Sequence, residues 1–496
     1  MANGNSGEGR TVDDYDVVVV GHGVSGLSAA IAARERGAET LMIEKSPREK
    51  RGGHTRHAGG IFRFPMPDPE RTKADFDLDA APEEYTEQDF MDDLMQVSNG
   101  NADPDLCEVL VENAYEAVQW ITDHGVSWHV VDTSDEPGFG SVVGGIQADG
   151  EGKGVVESLS PTAEEMGVDI RYRTECRGLV TDETNAVVGV EAVDPDGKVT
   201  FSADGVVICA GSYVSSPEKR TRYFGRDGDR YVVRGSRYNT GEALDAALDA
   251  GAMSHGQWGG AHQVMNDATA ARVEEGRARI NGYQFGVILN TEGERFVDEG
   301  EDFLLKTYAK FGQAVYDQPD QKAFVFFDSR VDHLVVSQID TEPIEGETFE
   351  ELVGKLDVDD PEAAVETLER YNEAATESEE FDPHSLDGVE SEGITPQKTN
   401  WARPLSEPPF KCFPVTCGIT FAFGGLKIDT GSRVQSTRDE PMAGLWAVGN
   451  SSAGFFHGNY PGGSALTRGA TFGRRAGRAA ADRALDAAET GVAADD

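Results

Sequence analysis

The chain has 496 residues, with 89 Asp and Glu against 44 Lys and Arg, and a formal net charge of −45 at pH 7. That length supports a large core divided between two lobes and excludes a small stapled fold, while the charge excludes nucleic acid and anionic membranes as partners. The acidic residues are scattered (Glu83, Glu84, Asp92, Asp93, Asp357, Asp359, Asp360, Glu377, Glu379, Glu380), which predicts a uniformly acidic surface adapted to high salt, where a Debye length of about 3 Å screens self-repulsion; an acidic enzyme of ordinary habitat is the alternative.

The opening stretch MANGNSGEGRTV is polar, with no apolar h-region and no twin arginine, and no later apolar run is long enough to span a bilayer. A soluble cytoplasmic protein without membrane insertion is expected. Asp16 to Glu44 then reads as a dinucleotide-binding βαβ unit. Val17 to Val20 make a buried parallel strand, and Gly21, Gly23 and Gly26 fill a G-x-G-x-x-G turn, with Val24 and Ser25 opening the helix. The first glycine allows the tight turn, the second lets the backbone approach a pyrophosphate, and the third lets helix and strand pack closely. A second strand, Thr40 to Ile43, ends in Glu44, which can accept hydrogen bonds from a ribose. By itself this fingerprint allows NAD or FAD.

A Gly/His/Arg-rich loop follows from Gly52 to Gly60, then acidic helical segments from Glu87 to about Asp123, including the amphipathic DLCEVLVENAYEAVQWI. Gly138 to Gly154 is rich in glycine and reads as a loop. The runs IRYRT, VVGVEAV and VTFSADGVVICAGSY predict a β-meander returning to the first sheet. Strands and helices mix from about Thr240 to Asn400, with an acidic loop around Thr376 to Glu392. Pro404, Pro408, Pro409 and Pro414 punctuate the return to two strands (LKIDT, GLWAVG), a glycine-rich loop and a helix from about Ser464 to Leu485. The five cysteines have no C-x-x-C spacing, so no metal or iron–sulfur site is expected and a reducing compartment fits.

In this order, GHGVSG, Glu44-Lys45, GGHTRHAGG, VVICAGSY, GLWAVGN and GGSALTRGATFGRRAG resemble the flavoprotein family of fumarate reductases and succinate dehydrogenases over nearly the whole chain. The resemblance implies an α/β fold in which a discontinuous Rossmann-like FAD-binding domain (residues 13–242 and 401–488) carries an inserted α+β capping domain (243–400). It implies FAD as cofactor, with Gly53, His54, Thr55, Ala58, Gly59 and Gly60 along flavin and pyrophosphate, Cys176 offering its backbone to the adenine, and Ala210, Gly211, Gly449, Asn450, Ser464, Ala465 and Leu466 completing the site. The helix after Ser464 can point its N-terminus at the flavin N1/C2=O edge and stabilise the anionic reduced form. His54-Thr55 matches the pair at which succinate dehydrogenases attach FAD covalently; a plain hydrogen-bonding role for His54 is the expectation.

GQWGGAHQ, GERFVDEGEDF, TYAKFG and PVTCGITFAFGGLKIDT look like tricarballylate dehydrogenase, while AVGNSSAGFFHGNYPGG looks like 3-ketosteroid Δ1-dehydrogenase, with Tyr460 in the YPG turn. Three departures bear on the chemistry. After Arg295 to Glu299 the chain reaches Phe303, with no arginine before Arg330; Thr420 and Phe421 replace a histidine, and Tyr460 an arginine. Fumarate reduction by the family's arginine shuttle is therefore not expected. Alkane-to-alkene oxidation beside a carboxyl or carbonyl needs a base, a hydride acceptor and groups that stabilise enolate-like charge. Tyr308 is the candidate base, given a cationic neighbour, and His262 and Tyr460 are candidate hydrogen-bond partners of the substrate. Arg56, Arg63, Arg295 and Arg468 are candidate carboxylate clamps, and Thr420 and His457 further substrate contacts. The expected activity is dehydrogenation of a tricarballylate-like or succinate-like carboxylate. A ketosteroid-type dehydrogenase is one alternative, and a fumarate reductase or electron-transfer subunit another. No second dinucleotide fingerprint is present, so a quinone or an iron–sulfur protein is the expected electron acceptor.

Overall fold

A computed structural model of the chain describes residues 10–131, 137, 138, 144–273 and 278–492. Strand β1 (Arg10–Val20), helix α1 (Val24–Glu35) and strand β2 (Thr40–Glu44) form the βαβ unit expected from the glycine fingerprint. The two strands are parallel, with Val17 to Val20 opposite Thr40 to Ile43. All four valines are buried, as a strand covered on both faces requires. β3 (Asp169–Tyr172) extends the sheet beyond β2, and a meander of β4 (Glu175–Thr181), β5 (Val187–Asp194) and β6 (Gly197–Ile208) brings β6 parallel to β1 on the other side. IRYRT thus belongs to the parallel sheet rather than to the meander, because Ile170, Arg171 and Tyr172 pair in parallel with Met42, Ile43 and Glu44 of β2.

The second sheet is built around β10 (Phe410–Ala422), which pairs antiparallel with β7 (Ala261–Asp267) and β9 (Lys322–Phe327); β9 in turn pairs with β8 (Val287–Asn290). β10 carries Thr420 and Phe421 near its C-terminal end onto the wall of the central cavity. The chain returns to the first sheet through β11 (Arg433–Gln435) and β12 (Pro441–Ala447), the latter parallel to β6. Of LKIDT, only Leu426 is in a strand, Gly425–Leu426.

The segment read as a glycine loop from residue 138 holds a strand, Gly145–Ala148, and helix α2, Glu151–Glu165; residues 139–143 lie outside the described set. Glycine here serves packing. A Cβ on Gly152 would lie 1.8 Å from the Thr55 carbonyl oxygen, so only glycine lets α2 approach the loop that carries Thr55. The C-terminal helix α3 (Ser464–Val492) packs on α1 through Gly473 and Gly477, where added Cβ atoms would sit 2.4 Å from Ser25 O and 2.1 Å from Ala29 O. Their spacing of four puts them on one helix face. Among the described residues no helix is long and apolar enough to cross a membrane.

Candidate active site

A cavity of about 500 Å³ runs from the β1–α1 turn to the junction of the two sheets. At its first end Gly21, Gly23, Val24 and Ser25 form the wall. Gly21 has φ +107° and a Cβ there would meet Cys209 O at 2.6 Å, so this turn takes no other residue. Gly26 lies behind the wall, its Cα hydrogens against Gly21 O, where a Cβ would stand at 1.9 Å. α1 has no side-chain N-cap and no acidic residue in its first turn. Its positive end is therefore offered to an anion. The Val24 N–H donates to Thr55 Oγ1 at 3.1 Å, which ties the GGHT loop to the helix start.

Glu44 also lines the cavity, its carboxylate accepting the N–H groups of His22 (3.0 Å) and Ser46 (2.7 Å) while burial raises its pKa. Burial pushes His22 down to about 3, so this imidazole is neutral. Lys45, on the same wall as Cys176, pairs with Glu242 at 2.7 Å. Further along come Gly53, His54, Thr55, Ala58, Gly59, Gly60, Ala210, Gly211, Gly449 and Asn450, then Gly462, Gly463, Ala465 and Leu466 at the start of α3. Gly53 and Gly59 have nothing within 4 Å of a built Cβ, leaving room for a ligand against the backbone. His54 accepts at Nδ1 from Asn239 Nδ2 (3.1 Å), and burial, followed by His57 and Arg234, pushes it down to about 3. A bare glycine turn, an uncapped helix end and a buried carboxylate at the second strand's tip together fit an adenine dinucleotide.

The other end of the cavity joins two arginines to a cluster of rings. Arg234 Nη1 donates to Thr420 Oγ1 at 2.9 Å, and Arg279 Nε donates to Asn281 Oδ1 at 2.8 Å. Both arginines line the cavity, and both are buried. Burial, then the neighbouring Arg279 charge, holds Arg234 down at about 10. The Arg279 guanidinium lies 5.2 Å from the centre of the Tyr308 ring, supplying the cationic neighbour expected for that tyrosine. The Tyr308 and Tyr460 hydroxyls are 3.1 Å apart. His262 packs against Tyr460 (4.7 Å), Tyr308 (5.2 Å) and Phe421 (5.5 Å). Neither ring nitrogen of His262 has a hydrogen-bond partner among the described residues. Burial, reinforced by Arg234 and Arg279, holds it well below the usual histidine range, so it is a neutral imidazole with one donor and one acceptor to offer. Burial, then Tyr308, raises Tyr460 well above the usual tyrosine range.

The folding logic of this end is visible in the packing. β7 carries His262 and the helix Leu304–Tyr316 carries Tyr308; a Cβ on Gly312 of that helix would lie 2.2 Å from Val264 N, so glycine permits the close docking that sets the two rings together. Short pairing of Val232 with Gly418 and Val233 with Ile419 then brings Arg234 beside Thr420.

Tyr308, His262, Tyr460 and Thr420 are thus gathered as expected from sequence, but most of the proposed arginine clamps are elsewhere. Arg295 forms a buried ion pair with Glu299 (2.5 Å) and is not on this cavity, because its partner four residues on is fully buried and needs a counter-charge. Arg468 donates to Asn450 Oδ1 at 2.5 Å and is sandwiched near Phe455 and Phe456; it too is off the wall, held down at about 9 by burial. Arg56 sits in the Thr55–His57 turn, and His457 in the turn before Tyr460; neither lines the cavity. Arg63 is on the wall, but its guanidinium is engaged by Gly462 O (2.7 Å) and Asp93 (2.9 Å). Ser464 turns its hydroxyl to Pro461 O (2.6 Å) and does not reach the cavity. Arg234, Arg279, Asn281, Asn239 and Gln338 were not anticipated. No local motif marks the arginines; the strand-like VVR before Gly235 is their only signal.

The FAD binding domain family matches residues 16–466 of the chain. The fumarate reductase (cytochrome) of Shewanella frigidimarina is 29% identical over 475 residues, spanning 95% of this chain and 77% of that protein. The urocanate reductase of Eggerthella lenta is 27% identical over 487 residues, spanning 96% and 75%. Among solved structures, 3-ketosteroid Δ1-dehydrogenase from Sterolibacterium denitrificans has the same fold, with a TM-score of 0.75 at 20% identity over 95% of this chain and 100% of that one.

Proposed function

The chain belongs to the FAD binding domain family, and from that premise we propose that it is an FAD-dependent oxidoreductase interconverting a CH–CH bond of a small carboxylate with its α,β-alkene. The observation that carries the reading is the pair of buried arginines, Arg234 and Arg279, on the cavity wall beside Tyr308 and Tyr460. FAD, when bound, supplies the two-electron hydride chemistry. Gly21, Gly23 and the α1 terminus would hold its pyrophosphate, Glu44 its ribose, and the first turn of α3 its isoalloxazine. FAD is read as held without a covalent bond, so that acid-precipitated protein is colourless.

The remaining roles belong to the chain. Two guanidinium groups bind the substrate carboxylate and, as the α-carbon loses its proton, stabilise the enolate-like charge that develops on it. Tyr308, beneath the Arg279 guanidinium, moves that proton, and the Tyr460 hydroxyl 3.1 Å away passes it on. His262, neutral, hydrogen-bonds the substrate from the same wall. In the oxidative direction the alkane would give up one proton to the protein, with bound FAD as the acceptor of the hydride equivalent, leaving the alkene. The sequence resemblance to tricarballylate dehydrogenase places tricarballylate and succinate in the first panel of substrates. The acidic surface is read as adaptation to high salt, and a quinone or an iron–sulfur protein as the electron acceptor.

One observation favours a second reading. The paired Tyr308 and Tyr460 hydroxyls are arranged to polarise a ketone oxygen, as a ketosteroid-type dehydrogenase requires. Anaerobic bleaching of the flavin in molar salt decides: bleaching with tricarballylate, succinate or other saturated carboxylates supports the main reading, whereas bleaching with 3-ketosteroids alone replaces it with the second.

A further inference from the structure

We propose that the substrate is a monocarboxylate bearing a planar apolar group at the far end of the reacting bond, a 3-arylpropanoate or 3-arylpropenoate, rather than a dicarboxylate. The inference rests on the carboxylate reading above and narrows it. Arg234 and Arg279 are both buried on the cavity wall, close enough that the Arg279 charge acts on Arg234, and together they are read as the carboxylate anchor. The wall that adjoins this anchor is made of four rings, His262, Tyr308, Phe421 and Tyr460, all buried and all on the cavity. Phe421 follows Thr420, the hydrogen-bond partner of Arg234, and Tyr308 lies under Arg279, so a ligand held at the anchor extends directly against these rings.

The ring wall suits a flat apolar group and not a second anion. Phe421 meets Tyr460 edge-on at 5.2 Å, and a second layer, Phe423 and Phe456, backs it at 5.8 and 6.2 Å. Such offset and edge contacts fix the rings before any ligand arrives. The polar atoms of the four rings are the two tyrosine hydroxyls, already bonded to each other, and an imidazole held neutral, and the neighbouring lining groups Thr420, Asn281 and Gln338 are uncharged. A carboxylate placed there would be stripped of water with no cation of its own among the described residues, since the further arginine they put on the cavity wall, Arg63, is paired with Asp93. Aromatic rings bury large apolar area in such contacts and gain from ring-edge geometry.

The test uses oxidised holoenzyme, which an alkene product cannot reduce, and reads the shift of the flavin's visible absorption on titration with cinnamate, fumarate and cinnamamide. Cinnamate is expected to bind at least about tenfold more tightly than fumarate, the scale of a few buried methylene-equivalents, and cinnamamide at least about tenfold more weakly than cinnamate. Fumarate binding as tightly as cinnamate overturns the aryl inference and leaves the carboxylate reading standing. Cinnamamide binding as tightly as cinnamate overturns the carboxylate reading, and with it this inference. Silence from both cinnamate and fumarate overturns both. Phe421→Ala should lower the cinnamate-to-fumarate preference severalfold; if that variant loses its flavin, Phe421→Leu, which keeps the volume and removes the ring, should lower it in the same direction. An unchanged preference in the folded variant removes Phe421 from the argument and overturns the proposed wall.

Discussion

Replacing Gly26 by alanine would place a methyl carbon 1.9 Å from the Gly21 carbonyl oxygen. A close carbon–oxygen contact is about 3.3 Å, so the first turn of α1 must retreat by about 1.4 Å. On an adjacent face α3 already packs tightly against α1, with the built Cβ of Gly473 at 2.4 Å from Ser25 O and that of Gly477 at 2.1 Å from Ala29 O. Overpacking that cannot relax costs about 3 kcal/mol, roughly a 150-fold shift in the folded-to-unfolded ratio. The same displacement withdraws the helix end from the pyrophosphate. Urea unfolding of the apoprotein and the flavin-to-protein ratio after desalting read the two effects separately. Gly59→Ala is the control: its Cβ meets nothing within 4 Å and points into open space, so it should spare apoprotein stability while lowering flavin retention. A Gly26→Ala protein with the parental unfolding midpoint and full flavin content would refute this reasoning.

Further outcomes follow from other parts of the molecule. His22 is pushed down to about 3 by burial against 6.5 in the unfolded chain, so it is neutral when folded and its contribution to stability is present above pH 6.5 and lost as the pH falls toward 3. At about pH 5 that loss is roughly 2 kcal/mol. Unfolding of apo His22→Asn at pH 7 and at about pH 5 should therefore show a smaller acid loss than the parent; equal losses contradict it. Arg295→Met strips the counter-charge from the fully buried Glu299 and should cost about 3–5 kcal/mol in urea unfolding while leaving ligand affinity of the folded protein nearly as it was. A large rise in ligand Kd without loss of stability would return Arg295 to the binding site. Raising KCl from dilute to molar should raise the thermal midpoint of a protein with net charge −45, and a flat response would set aside the reading of its surface.

The cofactor end was legible in the sequence because its demands are local. Gly26, against Gly21 O, and Glu44, against the His22 and Ser46 N–H groups, do their work within one βαβ unit, and the spacing states that geometry; the close approach of Cys209 to Gly21 is a tertiary addition. The aromatic end was legible in part: Tyr308, His262 and Tyr460 stood out through motif resemblance, and docking at Gly312 brings the first two together. The arginines were misassigned because a guanidinium's partner is set by tertiary pairing. Arg234 reaches the cavity through the pairing of Val232 with Gly418, about 190 residues away. Arg279 precedes Ile280, which pairs with Ser337. Conversely, Arg295 has its carboxylate four residues on, and that pair is structural. The stretch after Gly138 differs from its expected loop because glycine signals a turn and a close packing contact alike, and Gly152 is required by the approach of a helix to the Thr55 carbonyl.

The central claim is that Arg234 and Arg279 select a substrate by its carboxylate. It is tested most directly by reducing the holoenzyme anaerobically in molar salt and following flavin reoxidation with an α,β-unsaturated acid and with its amide, in the parent and in Arg279→Leu. The acid should reoxidise the parent flavin at least about a hundredfold faster than the amide, and most of that advantage should vanish in Arg279→Leu, the scale of a lost buried charge-assisted pair. Equal rates for acid and amide in the parent, or an acid advantage that survives the loss of Arg279, would contradict it.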